Sequence, residues 1–331
     1  MRHPLVLATL AATLSSLVGG AVQAQTAATP ANYPTKPVKI VVGWSAGGVA
    51  DVAARIFAQR LSAQWGQQVQ VENRPGGGGI IASGVVARAP ADGYTLQMVA
   101  ASEITISPFV RDDLPYSYDK DFVPVFQTTL NPIVLAINAN SPYKTLPDVI
   151  AAAKASPGKI SYSTAGNGSN PHLAVELFSD EAGISLKHVP YKGGGPASVA
   201  AAGGEVVLGA MAISSALPYV KAGTLRVLGV TGTQRLANLP DWPTLAELGY
   251  RNAAQSSVWT GLYVKAGTPT AIQKKLADDF AIALADPAIK AQLANVGAEP
   301  GGARFTDFGA SVKAESTRNE AIVRKANIRP D

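Results

Sequence analysis

The stretch Lys39–Arg55, KIVVGWSAGGVADVAAR, contains Gly43-Trp44-Ser45-Ala46-Gly47, a literal G-x-S-x-G between an apolar run and a helical pattern. That spacing is the nucleophile-elbow pattern of serine hydrolases, in which a sharp strand-to-helix turn exposes a serine hydroxyl. A hydrolytic serine also needs a histidine base within hydrogen-bond reach and a carboxylate to orient it. The chain has three histidines, His3, His172 and His188, and the first lies in an N-terminal segment that reads as a signal. An α/β-hydrolase takes its oxyanion loop from a strand ahead of the elbow, whereas Val38–Val42 is the first strand expected here. No S-x-x-K surrounds Ser45. A hydrolase using Ser45 is therefore the lesser alternative. The better reading of the same turn is a cradle of free N–H groups at the positive end of a helix, suited to an anion.

Three more glycine turns follow, Pro75–Gly79, Ala165–Ser169 and Gly193–Pro196, each opening a helical pattern. None matches the P-loop, and RPGGGGIIAS lacks the acidic residue that a dinucleotide site places about 20 positions on. Four such turns favour a small anionic ligand. Asp51, at the third helical position, is either a polar group at the site or a favourable charge in the first turn. Ser169 and Asn170 precede Pro171, which suits the helix start; Asn170 is expected to cap, Ser169 points either to the cleft or to nothing, and His172 is either a ligand-facing group or a hydrogen-bonded structural residue. Trp44 and Trp259 lie beside expected strand ends and are either core aromatics or walls for an apolar ligand body.

These turns need strands and helices to position them. Val38–Val42 reads as a strand buried on both faces; Val49, Ala53, Ile56, Phe57 and Leu61 follow at helical spacing, with Gly66 as a stop. The same strand–turn–helix grammar continues through VQVE, YTLQMV, IVLAIN, KISYST, LKHVPY, EVVLGAM and LRVLGVT, and the tail is helix-rich. Repeated βαβ units predict mainly parallel sheets flanked by helices, with ligands at the carboxyl ends of the strands. The 331 residues suit two α/β domains with a ligand cleft between them. The tail helices need a sheet to cover, so the chain is expected to cross over, build a second domain and return. This gives residues 37–127 plus 257–331 as domain 1 and 128–256 as domain 2.

Composition narrows the function. Hydrophobic residues are 47% and charged residues 15%, which describes a globular chain. Cysteine is absent, which removes disulfides, thiolate nucleophiles and iron–sulfur or zinc–thiolate sites. No histidine spacing suits a metal, so neither metal nor cofactor is expected. The formal net charge of +5 comes without a Lys/Arg run interleaved with aromatics, which disfavours nucleic acid. Residues 1–24 have a polar head, an apolar stretch and Val22-Gln23-Ala24, a signal-peptide pattern with cleavage expected after Ala24 and the periplasm as destination. Residues 25–36 are expected to be a disordered lead-in.

The segments YPTKPVKIVVGWSAGGVAD, VENRPGGGG, APADGYTL, YSTAGNGSNPHLAVELF, VPYKGGGPA, SALPYVKAG, LPDWPTLAELG and VKAGTP occur in that order. They resemble the Bug-type periplasmic receptors of tripartite tricarboxylate transporters, over nearly the whole chain from Tyr33. The resemblance implies a type II periplasmic-binding-protein fold. Its two domains close on an organic acid held by backbone N–H groups, hydroxyls and water, without an arginine clamp. It implies membrane components of the transporter as partners, and a monomeric receptor. A sensor that presents its closed form to a membrane histidine kinase is the alternative. Carried over by position, Ser45, Ala46, Gly47 and Gly48 with Gly79 and Ile80 would hold the first carboxylate. Thr164, Gly168, Ser169 and His172 would serve the other side, and a cleft loop Ser102–Pro108 offers Ser102 and Thr105. The chain departs from the family at Ser45-Ala46, where two prolines are frequent, at Ala50, where Ser, Thr or Asn is frequent, and at Met211, where an Asp is common. A buried ammonium without a partner is costly, so Met211 argues against an amino-acid ligand. With Trp44 and Trp259 it points to a diacid with an aliphatic or aromatic middle, such as terephthalate.

Overall fold

The computed structural model describes residues 32–111, 114–236 and 238–329. The signal segment, its cleavage after Ala24 and the lead-in up to residue 31 lie outside them. The rest of the lead-in is anchored rather than loose. Tyr33 is buried, its ring packs edge-on against Trp65 and Tyr94, and its hydroxyl donates to the Gly93 carbonyl.

Among the described residues eleven strands occur: β1 Val38–Val42, β2 Val69–Asn73, β3 Thr95–Ala100, β4 Phe122–Leu130, β5 Ile133–Asn138, β6 Ser161–Thr164, β7 Lys187–Pro190, β8 Leu208–Ala212, β9 Leu225–Val230, β10 Thr260–Lys265 and β11 Glu299–Pro300. The helices are α1 Val49–Trp65, α2 Ile80–Arg88, α3 Ala101–Thr105, α4 Ser107–Val110, α5 Tyr118–Asp121, α6 Leu146–Ala155, α7 Asn170–Ala182, α8 Gly194–Gly203, α9 Ile213–Lys221, α10 Arg251–Ala254, α11 Thr270–Ala285, α12 Pro287–Asn295 and α13 Phe305–Lys325.

Two sheets result, one ordered β11-β4-β10-β3-β1-β2 and the other β7-β6-β8-β5-β9. Strand β1 is apolar and buried except at Lys39 because it is central, with β2 and β3 parallel on either side. Helix α1 covers one face through Ala50, Ala53, Ala54, Phe57, Ala58 and Leu61, and Gly66 ends it by donating to the Ser62 carbonyl. Phe57 stacks on Phe280 of α11 at 5.1 Å, which joins the tail to the first sheet. On the opposite face Tyr118, Trp259, Tyr263 and Phe308 pack with Val86 of α2. In the second lobe Tyr162, Phe178, Leu208 and Ala210 form one core layer, and Val134, Met211, Ile213 and Leu217 form the other.

The sheets are mixed, which corrects the expectation of mainly parallel pairing. The β1–β3 and β6–β8 regions are parallel, but β10 runs antiparallel to β3 and β4, and β5 runs antiparallel to β8 and β9. The reason is the crossing. Strand β4 leaves the first sheet for the second lobe, and β10 brings the chain back beside it in the opposite sense. Where they cross, Val258 N–H donates to the Asn131 carbonyl at 2.9 Å and the Asn131 amide returns a bond to the Val258 carbonyl at 2.8 Å. Thr128, Thr129 and Thr260 hydroxyls join next to this pair at 2.6 Å.

Candidate functional site

The segment Ser102–Val110 is the hub of the site. The sequence reading takes Ser102–Pro108 as a loop; these residues lie in two short helices, α3 and α4, directly after β3. Three of the four glycine turns meet it. The Gly43–Gly48 turn reaches it through Trp44, whose indole N–H donates to Glu103 Oε1 at 2.5 Å. In the Pro75–Gly79 turn, a methyl group on Gly78 would touch Ser107 Oγ at 3.5 Å, and one on Gly79 would overlap the Glu103 side chain at 2.4 Å. From the second lobe, a methyl group on Gly168 would touch Ile106, Val110 and Ile328 at 3.5 to 3.9 Å. The fourth turn, Gly193–Pro196, stays apart and lines a surface hollow with Tyr191, Val199, Glu205 and Tyr219.

On the first lobe Ser45, Ala46 and Gly47 are exposed. Asp51 is 2% exposed and holds this turn from beneath. It accepts from Gly47 N–H at 2.8 Å, from Asn73 Nδ2 at 2.9 Å and from Arg55 Nε at 3.0 Å. Burial alone would push the Asp51 carboxyl up, but Arg55, the Gly47 N–H and Asn73 together bring it below its usual range. Asn73 also donates to the Trp44 carbonyl at 2.9 Å, so α1, β2 and the turn form one unit. Gly48 N–H turns inward to the Ser45 carbonyl. Helix α1 then faces the second lobe, where Val49 and Val52 share a crevice with Asn131 and with Ser214 of α9.

On the second lobe Thr164, Gly168, Ser169 and His172 are brought together and buried. The cap of α7 is Ser169, not Asn170: its hydroxyl oxygen accepts from His172 N–H, and Asn170 is the first helical residue. Asn170 has the wrong position to cap and instead points its amide at Glu315. The His172 ring accepts the Gly168 N–H at Nδ1 (3.2 Å) and stacks on His188 at 3.9 Å. Thr164 Oγ1 lies 2.6 Å from His188 Nε2. Burial, and the neighbouring His188, push His172 down to about 3, so the ring is neutral at ordinary pH.

Ser102 and Thr105 sit in the hub and are buried. Thr105 faces away from the turns, donating to Glu315 and accepting from Asn319 on α13. Trp259 is 3% exposed in the first-lobe core and donates to Glu315 Oε2 at 2.6 Å. Met211 is fully buried behind β8, where its sulfur takes the Ser198 hydroxyl at 2.8 Å. Neither meets the glycine turns through these contacts. Ile80 packs half-buried on the first-lobe core beside Gly79. Sequence reasoning missed Glu103, Asn73 and Glu315, whose partners are remote in the chain. Only Asn73, at the end of β2 and two residues before the Pro75–Gly79 turn, offered a local signal.

Two α/β lobes joined by antiparallel crossing strands, with glycine turns converging on one hub, define a two-lobed solute-binding protein. The chain belongs to the tripartite tricarboxylate transporter receptor family, whose model matches residues 53–328. It is 35% identical to the protein BugT of Bordetella pertussis over 81% of this chain and 82% of that one. Among solved structures it is similar to an R. palustris protein, Rpa4515, solved with adipate. The TM-score is 0.84 at 34% identity, covering 90% of this chain and all of the other. It is also similar to MatC from Rhodopseudomonas palustris with bound malate, with a TM-score of 0.79 at 29% identity over 88% of this chain and all of the other. Among the described residues no helix is long and apolar enough to cross a membrane, and no cluster of acidic or histidine side chains is arranged for a metal ion.

Proposed function

We propose that this protein is a periplasmic receptor that captures a small dicarboxylate between its lobes and delivers it to the membrane components of a tripartite tricarboxylate transporter. The observation that carries the reading is the convergence of three glycine turns on Ser102–Val110, in a fold whose relatives are solved with adipate and malate. One carboxylate is assigned to the exposed face of Ser45–Gly48 and the neighbouring Gly77–Gly79 turn, with the Ser45 hydroxyl as a donor. The other is assigned to the Thr164–Ser169 turn once the lobes adjust around it. Ser45 is a binding group in this reading and not a nucleophile. Both remaining histidines lie in the second lobe, and the His172 ring nitrogen Nδ1 is engaged by Gly168.

Thermal-shift measurements with adipate, malate, terephthalate and glutamate test it, because a ligand that binds only the folded form raises its melting point. At about 100 times Kd the stabilisation is about 2.7 kcal/mol, a shift of several degrees. A rise with a diacid is expected; a rise with glutamate alone overturns the diacid assignment.

A further inference from the structure

We propose that Glu103 is a proton-carrying pin that locks the two glycine turns of the first lobe together, and that loss of this proton weakens binding of an anion above it. This rests on the receptor reading for its ligand arm only.

The geometry is specific to this side chain. The Glu103 carboxyl lies against the backbones of Gly43 and Gly79, positions where no larger residue fits. A methyl group on Gly79 would sit 2.5 Å from Oε2, and one on Gly43 would sit 3.2 Å from Oε2 and 2.6 Å from the Gly79 α-carbon. Gly79 also has φ +99, a conformation that suits glycine. Oε1 accepts from the Trp44 indole and from Ala100 N–H at 2.9 Å, and Oε2 accepts from Gln97 Nε2 at 3.1 Å. Gln97 continues to Ser83 Oγ at 2.7 Å, and Ser83 meets the Tyr118 hydroxyl at 2.6 Å. This chain of polar side chains runs through the β1 turn, α3, β3, α2 and α5, all in the first lobe.

Glu103 is 0% exposed and has no cation among its hydrogen-bond partners. Burial pushes its carboxyl up to about 8, against the three donors, which pull the other way. The groups facing it are uncharged. Tyr116 and Tyr118 have hydroxyls raised mainly by burial and further by Glu103 itself. Among the charged groups on adjoining elements, Asp51 pairs with Arg55, Glu315 meets Thr105 from α13, and Arg111, at the end of α4, acts on Tyr116. A neutral acid under the turns places no negative charge beneath an anion bound there. Once ionised, it would place a negative charge in a low-dielectric setting beneath that anion.

Infrared spectra of the ligand-free full chain, from about pH 6 to about pH 10, read the proton directly. Wild type is expected to show a protonated-carboxyl carbonyl band that fades with a midpoint near pH 8, and Glu103→Gln to lack it. Glu315 is a second, half-buried acid with a raised carboxyl, so the wild-type minus Glu103→Gln difference is the readout. Trp44→Phe removes a donor to the carboxylate and is expected to move the midpoint up; it serves alone if Glu103→Gln does not fold. A midpoint in the ordinary carboxylate range overturns the inference.

In the second arm, adipate is titrated by calorimetry at about pH 6.5 and about pH 9.5, with binding to wild type expected to be about tenfold weaker at the higher pH and binding to Glu103→Gln unchanged. Equal wild-type affinities at both overturn the inference and leave the receptor reading intact. No heat from adipate, malate or terephthalate, with the infrared transition present, counts against the receptor reading and supports the pin.

Discussion

Asp51 and Glu103 are both buried carboxyls of the first lobe, yet their surroundings push them in opposite directions. Asp51 has a guanidinium and two amide donors, and stays charged. Replacing it with Ala leaves the Gly47 N–H and the Asn73 amide short of an acceptor, with an expected loss of about 2 kcal/mol in chemical denaturation. Its carboxyl is lowered on folding, so its stabilising contribution is present above the unfolded carboxylate range and fades as pH falls through the folded value. Glu103 has the reverse sign. Its carboxyl is raised to about 8, so between the unfolded carboxylate range and pH 8 the unfolded chain has released a proton that the folded chain keeps. Its contribution to stability therefore falls across that window, by at most about 1.4 kcal/mol per pH unit, and levels off above it. Denaturant melts of Glu103→Gln are expected to gain on wild type from pH 5 to about pH 8. A parallel pair of stability profiles counts against a neutral Glu103. The sequence could suggest Asp51, because its position in the helical first turn is local. It could not suggest Glu103, whose indole partner is 59 residues away and whose cavity is made by two glycines from different turns.

At the scale of elements, the long periodic segments were readable because local pattern and burial agree. The apolar run of β1, the spaced alanines and Phe57 of α1, and the proline near the start of α7 all sit where the sequence places them. The crossing strands were not readable in the same way. Strand β4 alternates little, contains Pro124 and is paired only with chain segments far downstream, β10 and β11. Its status depends on partners that the local sequence does not name. The same holds for α3 and α4, five and four residues long, which tertiary contacts fix. Asn131 is the clearest element-scale device, since it ties the two crossing strands to each other from both sides of its own peptide. Asn131→Ala is expected to lower stability by about 1–2 kcal/mol and to raise hydrogen exchange at Val258 and Thr260 more than at β1. Uniform loss of protection across both lobes would show that Asn131 supports the whole fold and not the crossing.

For the molecule as a whole, binding by a two-lobed receptor depends on how the free energy of lobe closure is divided between ligand and protein. The C-terminal helix α13 belongs to this balance because it touches both lobes. Val323 and Ile328 pack with Ile106 of the hub and Leu173 of α7. Higher on the same helix, Glu315 accepts from Trp259 and Thr105 of the first lobe and, at 3.5 Å, from Asn170 of the second. Asn170 follows the cap of the Thr164–Ser169 turn, so one half-buried carboxyl links the second-lobe turn to Trp259, the residue before the crossing strand β10. A ligand can only shift this arrangement by the difference in its affinity for the two states. Removing a contact that favours the present arrangement should therefore alter ligand-free shape and affinity together. Glu315→Ala leaves the Trp259 N–H unpaired, with an expected cost of about 2 kcal/mol, and should enlarge the ligand-free radius of gyration in small-angle scattering. Glu315→Gln keeps an acceptor for Trp259 and should stay near wild type. A saturating diacid should then bring the Glu315→Ala protein back toward the wild-type radius, with an apparent Kd weakened by the fraction of molecules in the competent state. If Glu315→Ala loses stability with no change of radius, the carboxyl is a core group of the first lobe and the link to Asn170 carries no closure energy.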